Sequence, residues 1–156
     1  MDSLAKRACR ILNEIHTRVP PCVLFCLVAT WCNAWCTKRR FQQEGPCQLL
    51  NGCSGEDSLE HYATCACHWG VLEGRLCRPR NPQTLRRFLV LTASTSDEMV
   101  IQACHVYAVK RAADLQRNGL CQSSAEEIGK LIWQGHRIVA MYHAGVEKLH
   151  SAVWKS

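Results

Sequence analysis

The sequence predicts a mainly α protein, a small helical domain interrupted by a turn-rich central segment. Three observations predict it. Apolar residues recur at helical spacing towards both ends, capping signals precede those stretches, and glycines, prolines and cysteines crowd between Phe41 and Pro82. At 156 residues the chain has room for one substantial core. That size excludes a complete polymerase, a barrel enzyme or a two-domain dehydrogenase. Hydrophobic residues at 47% and charged residues at 21% are ordinary for a globular protein and exclude disorder throughout.

Residues 3–17 place Leu4, Ala8, Ile11, Leu12 and Ile15 on one helical stripe. Pro20-Pro21 ends that helix, and Pro21 suits the first position of a second, expected to run to about Lys38. Its apolar stretch from Cys22 to Cys36 is shorter than the ~20 residues that span a bilayer and contains Thr30 and Asn33, so a buried helix is expected. Beyond the middle segment, Asn81-Pro82 is a start signal leading to Leu85, Phe88 and Leu89. Thr95-x-x-Glu98 is a capping box for a helix from about Ser96 to Arg117, stopped by Asn118-Gly119. Ser123-x-x-Glu126 and Ser124-x-x-Glu127 open the last helix, with Ile128, Leu131, Ile132, Val139, Tyr142, Val146 and Leu149 on its apolar face. Gly129, Gly135 and Gly145 weigh against that helix, at ~1 kcal/mol each relative to Ala.

Twelve cysteines approach the density of disulfide scaffolds. Yet Lys6, Arg7, Arg10, Glu14 and Arg18 break up the N-terminal stretch where a signal peptide would need an apolar run. The expectation is a reducing, intracellular compartment (cytoplasm or nucleus), in which cysteines are thiols or metal ligands. An oxidatively folded disulfide protein is the rival reading. Cys22-x3-Cys26 and Cys32-x3-Cys36 are expected to be core-filling thiols on one helix.

Cys47, Cys53, His61 and Cys65 stand apart. Asp57-x-x-Glu60 resembles a capping box, so a short helix should start near Ser58 and carry His61 and Cys65 on one face, ~5–6 Å apart at Cβ. Two ligands at that separation reach one zinc ion. Cys47 and Cys53 bracket a loop with Asn51-Gly52, a chain-reversing dipeptide. Loop pair plus helix pair makes a closed Cys3His set, which holds Zn2+ structurally and leaves no open position for catalysis. His68 is a rival fourth ligand and Cys67 a weaker one. The expected organisation is therefore N-terminal helices over 1–40, a zinc-knuckle-like segment over 41–80 and a C-terminal helical segment over 81–156, in one compact domain.

The text around this set, WCNAWCTKRRF at 31–41, then QQEGPC and GEDSLEHYATC, resembles the region downstream of the polymerase domain in non-LTR retrotransposon reverse transcriptases. The likeness is to the truncated copies abundant in protist genomes such as those of dinoflagellates. In that family an aromatic–Asn–aromatic–Cys-Thr segment leads through basic residues to a loop cysteine pair and an Asp-Ser-x-Glu-His-x3-Cys helix, here Asp57, Ser58, Glu60, His61 and Cys65. A weaker likeness extends to HVYAVKRAADLQRNG at 105–119. One departure is the Cys47–Cys53 loop, which is longer than in relatives and leaves Cys47 or His68 to complete the metal set.

The resemblance implies a non-catalytic, nucleic-acid-binding tail of a retrotransposon polyprotein. No Asp-Asp pair, P-loop, nucleophile elbow or His-Glu-x-x-His motif occurs, so no polymerase, nuclease or hydrolase activity and no small-molecule substrate is expected. A net charge of +6 permits a polyanionic partner. Lys38, Arg39 and Arg40 before the zinc loop, and Arg75, Arg78, Arg80, Arg86 and Arg87 after it, would contact RNA or DNA phosphates weakly and without sequence choice. Trp31, Trp35, Phe41, Tyr62 and Trp69 are candidates to stack on bases. The bland alternatives are a solvated face that balances a zinc site of roughly −1 and a core role for the aromatics. A helical protein–protein interaction domain with no nucleic-acid role is the second reading.

Overall fold

A computed structural model describes residues 3–49, 53–66, 68–69, 84–120 and 125–153, with side chains described only in part beyond 137. The protein is mainly helical, and no strand forms among the described residues. Helix α1 spans Leu4–Ile15, α2 Pro21–Trp31, α3 Leu59–Thr64, α4 Leu85–Phe88, α5 Ser96–Arg117 and α6 Ala125–Val153. One 3₁₀ turn, Arg39–Phe41, lies between α2 and α3.

Ser3 starts α1 by accepting the Lys6 N–H, and the stripe read from the sequence buries Ile11 and Ile15 one turn apart. Arg18, just past the helix, donates to Ser96 Oγ and Asp97, which ties this corner to the start of α5. Pro21 occupies the first turn of α2 as expected.

The end of α2 corrects the expected boundary: the helix stops at Trp31, seven residues before Lys38. Asn33 adopts the left-handed conformation at φ 49°, its N–H bonds the Thr30 carbonyl at 3.1 Å, and Ala34 N–H reaches the Ala29 carbonyl at 2.7 Å. That pair of bonds is a Schellman motif, in which asparagine tolerates the position glycine usually fills. The reversal folds Trp35 back into the core. Its indole N–H donates to Thr30 Oγ1 at 2.8 Å, and its ring packs at 5.6 Å from Tyr62 and 5.8 Å from Phe88.

Helix α5 matches its expected bounds and forms the centre of the molecule, packing on α1, α2 and α6. Thr95 accepts the Glu98 N–H, while the Glu98 carboxylate turns back to accept from Ser94 N and Oγ, both at 3.0 Å. Small residues along its length (Ala103, Ala108, Ala112, Ala113) let neighbours approach closely. Gly135 on α6 meets Ala108 so tightly that a Cβ there would lie 2.7 Å from that of Ala108. The glycine that weakens α6 locally therefore permits its packing on α5. Ile128 and Ile132 are buried from the expected α6 face; Val139, Tyr142, Val146 and Leu149 lie outside the described side chains. The starts expected at Asn81-Pro82 and Ser123–Ser124 also fall outside the described residues, and α4 opens at Thr84, which accepts the Arg87 N–H at 3.2 Å.

Candidate metal centre

A short antiparallel pairing builds the loop half of the site. Pro46 bridges Glu56, Cys47 N–H donates to the Gly55 carbonyl at 2.8 Å, and Asp57 N–H to the Gly45 carbonyl at 2.9 Å. This clamps 45–47 against 55–57 and brings Cys53 back beside Cys47. The turn expected at Asn51-Gly52 lies outside the described residues.

The helix half follows at once. Ser58, not Asp57, is the N-cap of α3 and accepts the His61 N–H at 3.1 Å. Asp57 has another task. Fully buried, it accepts from Lys38 N–H at 2.9 Å, from the Tyr62 hydroxyl, and from Arg117 at 3.3 Å. Those bonds tie the basic turn, α3 and the end of α5 to one carboxylate. They also hold the Tyr62 phenol protonated: burial first, then the hydrogen bond to Asp57, push its pKa far above the ordinary value.

Four donors converge. The Sγ atoms of Cys47, Cys53 and Cys65 and a ring nitrogen of His61 all lie within 4.8 Å of one another. A tetrahedral ion with S and N ligands requires separations of about 3.3–3.8 Å, so the donors need close by no more than about 1 Å to share one. Cys53 Sγ and His61 Nε2 are 3.3 Å apart. Cys47 and Cys65 are buried, whereas Cys53 and His61 are partly exposed. The Leu49 N–H points at Cys47 Sγ at 3.4 Å, a contact that favours the thiolate a metal requires. Burial lowers the His61 pKa against the pull of Asp57, a shift towards the neutral imidazole that a metal takes. His61 rests directly on Gly55, where a Cβ would sit 1.9 Å from the ring. A side chain at 55 would push the His61 ring out of its place among the donors.

Cys47, rather than His68, therefore completes the set. His68 is fully buried and engaged elsewhere, donating from Nε2 to the Tyr62 carbonyl at 2.6 Å with Nδ1 facing His105 Nε2 at 2.9 Å. His105 Nδ1 in turn faces His136 Nε2 at 3.1 Å. A carbonyl only accepts, so in the neutral chain the proton sits on Nε2 of each ring in turn. Sequence reasoning missed this link between α3, α5 and α6. The available signal was three histidines set among apolar residues.

Burial drives the His68 pKa down to about 4, outweighing the Tyr62 carbonyl, which raises it. The unfolded chain, with an ordinary value near 6.5, binds this proton first. Its contribution is thus complete above pH ~6.5 and is lost as pH falls towards about 4, by roughly 3 kcal/mol in all. Urea unfolding at pH 4.5 and 7 should show the loss, and His68→Gln should reduce it; an unchanged pH dependence in that variant would show that His68 does not titrate this way.

The basic residues divide. Arg39 pairs with Glu56 at 2.6 Å and is largely exposed, and Arg40 lies 5.7 Å from the Phe41 ring centroid. Lys38 is half-buried along Gly45, and Arg86 is exposed. Arg87 leaves the phosphate-binding set: only 5% exposed, it stacks over Trp69 at 4.6 Å. Arg75, Arg78 and Arg80, like Cys67, lie outside the described residues. Trp35, Tyr62 and Trp69 are core residues, and Trp31 is half-buried with its N–H on the Leu89 carbonyl. Only Phe41, 57% exposed, remains of the stacking candidates.

Compared with family models, curated proteins and solved structures, the chain matches none. The likeness to retrotransposon reverse transcriptases thus rests on the motif residues themselves. No helix among the described residues is long and apolar enough to cross a membrane.

Proposed function

We propose that the chain is a non-catalytic helical domain in which Cys47, Cys53, His61 and Cys65 hold one structural Zn2+, and that it binds single-stranded RNA or DNA weakly and without sequence choice. The observation that carries the reading is the convergence of those four donors. Three thiolates and an imidazole favour zinc among common divalent ions, and four protein ligands leave no open position for chemistry. A retrotransposon-derived tail, the class the sequence resembles, would have this character. The described aspartates have other work: Asp57 anchors the hairpin, and Asp97 and Asp114 pair with Arg18 and Lys110.

Support for the nucleic-acid role comes from the turn at Lys38–Phe41. It is bonded to the ligand-bearing hairpin through Lys38 N–H on Asp57, Arg39 N–H on the Asp57 carbonyl at 3.3 Å, and the Arg39–Glu56 ion pair. Metal binding would therefore order the exposed Phe41 ring and the Arg40 guanidinium beside it. Arg86, and Arg75, Arg78 and Arg80 outside the described residues, complete the phosphate contacts of this reading.

Three to five such contacts give a log–log salt slope of about −2 to −4 on a single strand. Polarisation with a labelled oligo-uridine should show affinity falling roughly tenfold to a hundredfold between 50 and 200 mM salt. Changing Lys38, Arg39 and Arg40 together to Gln should flatten the slope by about 2 for every sequence alike. Absence of binding at 50 mM salt, with metal in place, would favour the second reading, a helical interaction domain. The apolar, exposed face of α2 favours that reading too.

A further inference from the structure

Helix α2 carries no charged residue between Pro21 and Trp31. A helix apolar on every side belongs inside a protein. Yet only Val23, Cys26, Leu27 and Thr30 are buried, while Phe25 is 77% exposed and Val28 and Cys22 are exposed beside it. Between this face and α5 runs a groove of about 610 Å³. Its floor includes Cys26, Ala29 and Leu115, and its far wall carries Lys110, Arg111 and Asp114. Burial pushes the Cys26 thiol up to about 12, so the floor stays neutral and apolar.

We propose that this groove is a docking site for an amphipathic helix of a partner protein, with an apolar stripe on Phe25 and the groove floor and acidic residues facing Lys110 and Arg111. The shape argues for a helix. Groove residues recur at 107, 110, 111, 114 and 115 on α5 and at its C-cap, 118, a stripe of three turns or about 16 Å. A helix laid along two packed helices buries its own i, i+3, i+4, i+7 stripe in this way.

The charge argues for an acidic one. Asp114 is taken by Lys110 and Arg117, whereas the exposed guanidinium of Arg111 makes no ion pair among the described residues. The wall is thus net positive. A second copy of the chain, itself at +6, would bring like charge to that wall. A nucleic acid would set its phosphates against the Asp114 carboxylate and leave the aliphatic floor uncovered. The proposal is independent of the metal site and of any nucleic-acid role.

The test uses the zinc-supplemented full chain and a stapled 16-residue helical probe with Leu and Phe at i, i+3, i+4 and i+7 and Glu on both flanks. A twin carries Lys for every Glu. By anisotropy the Glu probe should bind at least about tenfold more tightly than the Lys probe. Phe25→Ser and Arg111→Glu should each weaken it by about tenfold or more without moving the melting temperature, since both side chains are exposed. The bound probe should slow alkylation of Cys22, which lines the groove, and leave Cys9 on α1 unchanged. Equal affinity for the two probes, unprotected Cys22, or variants that bind as the wild type does would each overturn the proposal. So would protection of Cys22 by an RNA oligonucleotide, by anionic vesicles, or by self-association that Phe25→Ser abolishes.

Discussion

Chelation of the metal-loaded protein should melt the segment from Phe41 to Trp69 and lower the stability of the whole domain. Structural zinc contributes on the order of 10 kcal/mol of apparent binding free energy in small modules, and most of it appears as folding free energy. Here the segment's backbone order rests on a single β-bridge, the six-residue α3 and the bonds to Asp57. Those features are few, and it is the metal that would bond the loop cysteines to the same centre as His61 and Cys65. Amide hydrogen exchange should therefore lose protection at Cys47 and Asp57 on chelation, while α5 retains more of its own. A metal-free preparation with an unchanged melting curve would contradict the account.

Trp35→Ala should cost about 3–5 kcal/mol, the range for removing a large aromatic from a core. The ring is buried between Tyr62 and Phe88, where it joins the metal segment to α4. Against a total stability of roughly 5–15 kcal/mol, that loss lowers the melting temperature by roughly 10 °C or more. Trp35→Phe keeps most of the packing and loses the indole bond to Thr30, so about 1–2 kcal/mol is expected. Calorimetry of both variants checks the pair. A near-neutral Trp35→Ala would mean that the indole is a surface platform, as the stacking reading required.

What was legible in the sequence follows from how local each signal is. The bounds of α5 were readable because Thr95, Glu98 and Gly119 act within a few residues of themselves. His61 and Cys65 were readable because four residues on a helix fix a distance, even though α3 ends at Thr64 and Cys65 is already its C-cap. Asn33 was a local signal too, but the apolar run continuing to Cys36 masked it, and the helix was extended past its stop. The long Cys47–Cys53 gap left that ligand open until the Pro46–Glu56 pairing showed how the chain returns.

Tertiary facts were out of reach. Asp57 reads as a cap from its spacing, but its partners Lys38 and Arg117 lie 19 and 60 residues away. Arg87 reads as part of a basic cluster, and only packing against Trp69 turns it inward. The histidine chain joins positions 31 and 37 residues apart, which no periodicity links.

The most direct test of the metal centre is elemental analysis of the purified full chain alongside Cys65→Ser and Cys67→Ser. The donor set assigned here predicts about one zinc per chain in the wild type and in Cys67→Ser, and loss of stoichiometric zinc in Cys65→Ser. Wild-type protein without metal, or zinc that survives Cys65→Ser and disappears in Cys67→Ser, would contradict it.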